Sequence, residues 1–182
     1  CYPCVDDKLA TKRICQQHGI PVPRTYGTIE RQGDIRGLAE LMGDLQEFVV
    51  KPAAGSEGRG IVVIVARRGQ QLVTAGAAKI SLQDLQYHVS TILVGLYSLG
   101  GHPDRALVEQ RIVPHPVFQT AVVGGTPDIR VILYRAVPAM AMVRLPTRAS
   151  RGCANLHQGA VGVGVQLLSG ETFGGTWQGR AV

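Results

Sequence analysis

Aromatic residues are scarce in this chain of 182 residues, at 5% of the sequence. Proteins that bind single-stranded nucleic acid stack bases on aromatic side chains, so this composition argues against a nucleic-acid partner. Charged residues are also few, at 18%, whereas apolar residues reach 45% and can form a sizeable core. These proportions predict a folded globular protein rather than a disordered chain.

Long apolar runs are missing as well. Polar residues interrupt the uncharged stretch 85–103, and glycine crowds the stretch 152–170, so neither is typical of a signal peptide or a membrane span. The sequence therefore predicts a cytoplasmic protein without a membrane span. The chain begins at Cys1 and ends at Val182, directly after a strand-like stretch, which predicts a fragment trimmed at both ends.

Acidic residues are nearly absent from the second part of the sequence. Residues 110–182 contain seven arginines but only Asp128 and Glu171, whereas residues 1–109 are close to neutral. A surplus of guanidinium groups suits phosphate or carboxylate ligands, and it equally suits a basic surface that serves solubility alone. The charge by itself leaves both alternatives open.

Cysteine is limited to four residues, three of them near the start. The pair Cys1-x-x-Cys4 followed by Cys15-x-x-His18 has the local spacing of zinc ligands. However, Cys15 and His18 fall in a predicted helix, and the residues between the two pairs belong to another motif. We therefore favour reduced intracellular thiols and no metal ligands in this chain.

The spacing of apolar residues predicts the secondary structure. Asp6 or Asp7 is expected to cap a first helix that runs to about His18 and stops at Gly19. Further helices are expected over residues 34–42 and 81–99, the last with an apolar stripe formed by Leu82, Leu85, Val89, Ile92, Leu96 and Leu99. Strands are expected over residues 24–29, 48–51, 60–66, 71–74, 106–112, 117–123, 129–134, 139–145, 161–167 and 172–177. This order predicts an α+β fold with a mixed domain over residues 1–108 and a mostly antiparallel domain over residues 109–182.

The most informative stretch is FVVKPAAGSEGRGIVV, residues 48–63. It lacks the Gly-Lys-Ser/Thr of a Walker loop, and a β-branched strand follows it instead of the helix of a dinucleotide fingerprint. What remains is a strand, a glycine-rich loop and a second strand, with Lys51 at the end of the first. Such a loop can surround phosphate oxygens with backbone N–H groups while the lysine adds charge. The alternative is an ordinary flexible hairpin.

Lysine is used sparingly, since the sequence has 15 arginines and four lysines. Two of the four are Lys8 and Lys51, where a slim ammonium suits a phosphate site better than a planar guanidinium. This usage supports the phosphate interpretation of the loop.

Three stretches in this order resemble the ATP-grasp ligases: DKLATK at 7–12, GIPVP at 19–23, and VVKP at 49–52 with its glycine-rich loop. DIRV at 128–131 and NLHQG at 155–159 resemble the branch of the ribosomal-protein-modifying glutamate ligases, most closely the alpha-L-glutamate ligase-like proteins. The resemblance covers nearly the whole chain. It implies two α+β lobes with ATP between them, the second lobe incomplete.

The resemblance also implies roles in binding ATP. Lys8 would lie near the α-phosphate and Lys51 between the α- and β-phosphates. The hinge up to Ile112 would hold the adenine by backbone groups, with Glu109 or Gln110 facing its amino group. The loop residues that would close over the β- and γ-phosphates are Gly55, Ser56, Glu57, Gly58, Arg59 and Gly60.

Three residues of the second domain complete the set. Arg130 and Arg144 would lie near the γ-phosphate and the acyl-phosphate, and Asn155 near a phosphate or the acceptor. The alternative for the arginines is a surface charge on alternating strand positions. The alternative for Asn155 and His157 is a loop that hydrogen-bonds its own backbone.

Two departures from the family pattern matter. The sequence contains no Glu-x-Asn, the pair with which the family's ligases bind magnesium, so the ligands of Mg²⁺ are expected beyond Val182. The position where relatives often carry a ribose-binding carboxylate has Pro114-His115-Pro116 instead.

The leading hypothesis is an ATP-dependent carboxylate–amine ligase that forms an acyl-phosphate and transfers it to an amino-acid or peptide acceptor. This fragment alone is expected to be inactive. There are two alternatives. One is a kinase that binds ATP in the same way, and the other is a non-catalytic module that binds a nucleotide or a peptide.

Overall fold

The computed structural model describes residues 3–118, 120–122, 125–150 and 152–182. The chain divides into two compact units, Cys1–Arg111 and Ile112–Val182. The sequence placed the boundary after residue 108, whereas in the structure Glu109 belongs to the first unit because it pairs with two strands there. The helices and two antiparallel sheets confirm the predicted α+β class.

The first unit carries one antiparallel sheet and four α-helices. Its strands lie in the order β1-β6-β2-β3-β4-β5. They are β1 (Thr25–Ile29), β2 (Phe48–Pro52), β3 (Val62–Arg68), β4 (Gln71–Thr74), β5 (Lys79–Ile80) and β6 (Ala106–Glu109). The helices are α1 (Pro3–Asp6), α2 (Lys8–Gln17), α3 (Leu38–Met42) and α4 (Leu82–Leu93), with 3₁₀ turns at Gln32–Gly37 and Leu99–Gly101.

Helix α2 begins where the sequence predicts it. The carboxylate of Asp7 accepts hydrogen bonds from the N–H groups of Leu9 at 2.8 Å and Ala10 at 3.4 Å. These bonds satisfy backbone donors that have no partner inside the helix. Gly19, with a φ of +67°, follows the helix and turns the chain away.

Helix α4 is shorter than its apolar stripe predicts. Ser81 and Asp84 form a capping box at its start, and Leu85, Val89 and Ile92 are buried along it. The helix ends at Leu93 because Gly95 has a φ of +85°. Leu96 lies beyond this break and its side chain is 64% exposed, so it does not extend the buried stripe.

The helix predicted over residues 34–42 forms in two pieces. A 3₁₀ turn spans Gln32–Gly37 and α3 spans Leu38–Met42. Gly37 separates the two because glycine is a poor residue for a helix interior. Leu38 and Met42 are both buried, so the short helix still contributes to the core.

The core of the first unit lies on one face of the sheet. Phe48, Val50 and Pro52 alternate with less buried residues along β2, as expected for a strand with one buried face. Phe48 and Val50 belong to the same buried cluster as residues of α4. Lys51 points to the opposite face, and Glu109 shares that face because it lies directly across from Val49.

The second unit is an antiparallel meander in the order β11-β10-β9-β8-β7. Its strands are β7 (Asp128–Tyr134), β8 (Val137–Leu145), β9 (Val161–Val165), β10 (Thr172–Trp177) and β11 (Arg180–Ala181). Ile129, Leu133 and Met140 on the β7–β8 hairpin are more than half exposed. Over the parts of the chain that the structure describes, no helix combines the length and apolar character needed to cross a membrane.

The strand predicted over residues 117–123 is wrong for its described part. Pro116–Phe118 form a 3₁₀ turn, and Thr120 and Ala121 lie in a further turn. Pro116 explains the difference, since it has no backbone N–H for a sheet and its φ suits a turn. Residues 119 and 123 of that prediction lie outside the described residues.

Candidate functional site

Lys8 joins the start of α2 to the root of the glycine-rich loop. Its backbone N–H donates to the carbonyl oxygen of Ala53 at 3.0 Å. Its ammonium Nζ donates to the carbonyl oxygens of Gly55 at 2.5 Å and Ala53 at 3.3 Å. Burial, followed by repulsion from Lys51, lowers the pKa of the Lys8 ammonium below its ordinary value. The structure therefore brings the two lysines singled out in the sequence into one electrostatic cluster.

Lys51 lies beside a buried carboxylate. Its ammonium forms an ion pair with Oε1 of Glu109, the last residue of β6. The side chain of Lys51 is 19% exposed and that of Glu109 is 5% exposed. Strands β2 and β6 are neighbours in the sheet, and Lys51 lies directly across from Leu107. Glu109 is two residues further along β6, on the same face of the sheet, so the two side chains can meet.

Lys12 is a site residue that the sequence reasoning missed. Its Nζ donates to Oε2 of Glu109 at 2.7 Å and to Oγ1 of Thr25 at 2.7 Å. It follows Lys8 by four residues on α2, a spacing that places both on one side of the helix. The four-residue spacing from Lys8 is the feature of the sequence that could have identified Lys12. We call Lys8, Lys12, Lys51 and Glu109 the lysine cluster.

Asp104 was also missed, and it fixes the root of the loop. Its carboxylate oxygens lie 3.0 Å from the N–H of Ala54, and it also accepts from the hydroxyl of Ser98 at 3.1 Å. Asp104 is 7% exposed, and its charge attracts the ammonium of Lys8. An isolated β-bridge between Gly55 and Ser98 adds to this attachment. The sequence offers no pattern that identifies Asp104.

The far end of the loop, at Gly60 just before β3, is held by two side chains, those of His88 on α4 and of Tyr97 after that helix. A Cβ built on Gly60 would lie 2.5 Å from the ring of Tyr97, so the ring packs directly on the glycine. Nε2 of His88 lies 2.9 Å from the carbonyl oxygen of Gly60, within hydrogen-bond distance. The rings of His88 and Tyr97 are themselves 5.5 Å apart. The loop is therefore attached at both ends.

The tip of the loop is exposed between these attachments. Glu57 and Gly58 have φ values of +58° and +75°, which form the tight turn. Arg59 forms an ion pair with Glu57 at 3.7 Å, and both side chains are more than half exposed. Ser56 accepts a backbone hydrogen bond from Arg59 at 3.1 Å. The tip thus presents the guanidinium of Arg59 at the surface of the first unit.

The residues of the predicted hinge differ in their contacts and in their exposure. Oε1 of Gln110 accepts a hydrogen bond from the N–H of Arg24 at 3.2 Å, and the N–H of Gln110 donates to the carbonyl of Arg24 at 2.8 Å. Glu109 is bound by two lysines, and Ile112 opens the second unit with 53% of its surface exposed. Their contact with an adenine stays a prediction.

The second unit places its predicted residues in local contacts. Nε and Nη2 of Arg144 donate to the two carboxylate oxygens of Asp128 at 2.6 and 2.5 Å, and this hydrogen bonding raises the pKa of Arg144. Arg130 is exposed on β7. The side chain of Asn155 accepts from the N–H of His157 at 3.1 Å and caps a 3₁₀ turn, which is the backbone-bonding alternative. Their roles toward phosphate or acceptor stay predictions.

Metal ligands do not come together in the described part of the chain. Within residues 3–118, 120–122, 125–150 and 152–182, no group of three or more His, Cys, Asp or Glu side chains could hold a metal ion. Cys4 is an exposed free thiol and Cys15 is a half-buried one. Cys1, the first residue of the zinc-like spacing, lies outside the described residues.

A separate groove opens between the β3–β4 hairpin and the start of α4. Its volume is about 790 Å³, and its lining includes Arg67, Leu72 and Leu82 together with glutamines at 70, 71, 83 and 86. None of the catalytic or ATP-binding residues predicted from the sequence lines this groove. The lysine cluster and the glycine-rich loop therefore remain the candidate site.

A family model described as sugar-transfer associated ATP-grasp matches residues 1–182. This match spans the whole sequence and so includes both units. No curated protein matches the chain.

Proposed function

The chain belongs to the sugar-transfer associated ATP-grasp family, and from that premise we propose that its first unit holds the triphosphate of ATP with Lys8, Lys51 and the glycine-rich loop. Membership makes the chain part of an ATP-dependent enzyme. The specific reaction, the carboxylate substrate and the acceptor are part of this proposal.

The convergence of Lys8 and Lys51 at the root of the loop carries the proposal. The lysines lie 43 positions apart in the sequence, yet repulsion from Lys51 contributes to the lowered pKa of Lys8. Both residues are half-buried. Their ammonium groups repel each other, and an anion between them removes that cost. Loop N–H groups near the same place add donors suited to phosphate oxygens. A polyphosphate is the ligand that fits this combination.

We propose a carboxylate–amine ligase because the DIRV and NLHQG stretches resemble those of glutamate ligases. A carboxylate oxygen attacks the γ-phosphorus of ATP, the bond to the bridging oxygen breaks, and ADP leaves. An amine then attacks the acyl carbon and loses a proton to the solvent, an amide bond forms, and inorganic phosphate leaves with the electron pair of the broken C–O bond. The lysines and loop amides stabilise charge on the phosphates and make no covalent bond.

Magnesium is typical of such reactions, but the described residues offer no acidic cluster for it. Asp128, one of the two acidic residues after position 110, is bound by Arg144 on both oxygens. The described residues therefore do not fit a protein-held Mg²⁺, and we derive no step through it.

Binding of ATP tests the first part of the proposal. The 182-residue chain should bind ATP, and Lys51→Met should weaken this binding at least tenfold, as expected for loss of a charge-assisted contact. The reaction is tested by adding hydroxylamine to the enzyme with ATP and candidate carboxylates. A hydroxamate indicates an acyl-phosphate, whereas a kinase would phosphorylate a hydroxyl group and give none. ATP binding without any ATP turnover by the full-length protein would favour the non-catalytic module.

A further inference from the structure

Glu109 carries a buried carboxylate whose two oxygens bind two different lysines. Oε1 pairs with Lys51, and Oε2 accepts from Nζ of Lys12 at 2.7 Å. The side chain is 5% exposed, so these contacts lie away from bulk water. Each oxygen is therefore already bound by an ammonium group, one through a charge-assisted hydrogen bond from Lys12 and the other through the ion pair with Lys51. Contacts to a charged group of this kind are stronger than a bond from a neutral amino group.

We infer that Glu109 is a positioning residue for the phosphate-binding lysines and does not read the adenine base. It holds the ammonium of Lys51 in place at the end of β2 and attracts the ammonium of Lys8. The inference rests on the proposed function, since a phosphate ligand is what gives the charge and position of Lys51 their importance.

Lys12 binds the carboxylate oxygen of Glu109 that Lys51 leaves available. Its ammonium is held in turn by the hydroxyl of Thr25, which lies directly across the sheet from Glu109. The carboxylate is thus attached to α2 through Lys12 and to β2 through Lys51, while β6 supplies its backbone. A side chain held at both oxygens has lost its rotational freedom, and this fixes the ammonium that it binds.

The charge balance supports the same role. Burial disfavours an ammonium ion, and a carboxylate in contact favours it. Glu109 attracts Lys8 and thereby opposes the burial and the repulsion from Lys51 that lower the pKa of Lys8. The charged groups that face one another here, from α2, β2, β6 and the residues beside them, are Asp7, Lys8, Lys12, Lys51, Asp104, Arg105 and Glu109.

Inorganic tripolyphosphate separates the two roles because it has the phosphates of ATP and no base. Its affinity for the 182-residue chain is measured from neutral pH to about pH 10, where lysines lose their protons. In Glu109→Gln, the pH at which tripolyphosphate binding is lost should fall by about one unit, because Lys8 loses a carboxylate that raises its pKa. The ratio of ATP to GTP affinity should stay unchanged.

Lys12→Met gives a shift of the opposite sign. It removes a competing ammonium, so the carboxylate serves Lys51 alone and the loss of binding should move to higher pH. Glu47→Gln is the matched control, because Glu47 is a partly exposed carboxylate of the same unit paired with Arg111 at 2.5 Å. It should leave the pH dependence of binding where it is.

A changed ATP to GTP ratio in Glu109→Gln, with tripolyphosphate binding unaltered at every pH, would overturn the inference in favour of base recognition. If Glu109→Gln does not fold, Lys12→Met decides alone, and an unshifted or downward-shifted pH dependence refutes the positioning role. An unsubstituted chain that binds neither ATP nor tripolyphosphate refutes the proposed function, a result distinguishable from both of these.

Discussion

The ring of Tyr97 packs against the backbone of Gly60 so closely that a Cβ at position 60 would lie 2.5 Å from it. Gly60 also has a φ of +73°, a conformation that residues with side chains rarely adopt. Glycine is therefore required there for two independent reasons. The contact fixes one end of the loop that we assign to phosphate binding.

Replacing Gly60 by alanine should damage the loop more than the backbone strain alone explains. We expect a loss of unfolding free energy of about 1–3 kcal/mol, together with weaker ATP binding. Chemical denaturation and calorimetric titration with ATP measure the two effects. Gly69→Ala is the control, because Gly69 has a φ of +61° in the β3–β4 turn and nothing lies within 4 Å of its Cβ position. Equal losses in the two variants would show that the Tyr97 contact contributes nothing.

Replacing Lys51 by methionine should weaken ATP binding and also lower stability slightly. From the sequence, a lysine at the end of a strand predicts an unaffected fold. The structure revises this, because the substitution leaves the buried Glu109 with Lys12 as its remaining ion-pair partner. Lys79→Met, at an exposed position of β5, is the control and should change neither quantity. An ATP affinity equal to that of the unsubstituted chain would argue strongly against the site.

Truncating Val89 or Ile92 to alanine should lower the unfolding free energy by about 1–4 kcal/mol, since each leaves a cavity in the core. Thermal and denaturant unfolding measure this directly. Val94→Ala, just after the helix and 62% exposed, should cost far less. Similar costs at positions 89 and 94 would contradict the assignment of the α4 stripe to the core.

Acid should weaken the start of α2 through Asp7. Burial alone would raise the pKa of this carboxyl, but the N–H of Leu9, the Arg105 guanidinium and the N–H of Ala10 outweigh it and lower the pKa. A lowered pKa in the folded state means that the charged form stabilises the fold above the unfolded-state value. This stabilisation disappears as the pH falls through the folded-state value.

The variant Asp7→Asn tests this directly. Asparagine also caps helices well but carries no charge, so the difference in unfolding free energy from the unsubstituted chain should shrink as the pH falls. The measurement is denaturant unfolding from neutral pH to about pH 2.5. Asp44→Asn, at an exposed position before β2, is the control. A pH-independent difference for Asp7→Asn would exclude the charge as the source of stabilisation.

Local signals in the sequence predict much of the fold. The cap at Asp7 and the glycine after it fix α2, and the alternation of buried residues identifies β2 with Lys51 on its less buried face. Where prediction fails, a single residue overrides the pattern. Gly95 ends α4 early, and Pro116 replaces a strand by a turn.

The lysine cluster could be predicted only in part, because its contacts join distant parts of the chain. The VVKP stretch identifies Lys51, but nothing local shows that β6 lies between β1 and β2 and brings Glu109 to Lys51. Asp104 is found through the hydrogen bond that it accepts from Ala54, 50 positions away. Such pairings depend on the order of strands in the sheet, which apolar spacing does not reveal.

Strand β6 has consequences for how this protein can evolve. Its four residues are all buried, it pairs along both edges, and its last residue is the carboxylate shared by two lysines. A substitution in β6 is therefore expected to act both on folding and on the phosphate site that we propose. Natural variation that tunes the site is expected to accumulate in the exposed tip of the loop, where a change costs the scaffold little.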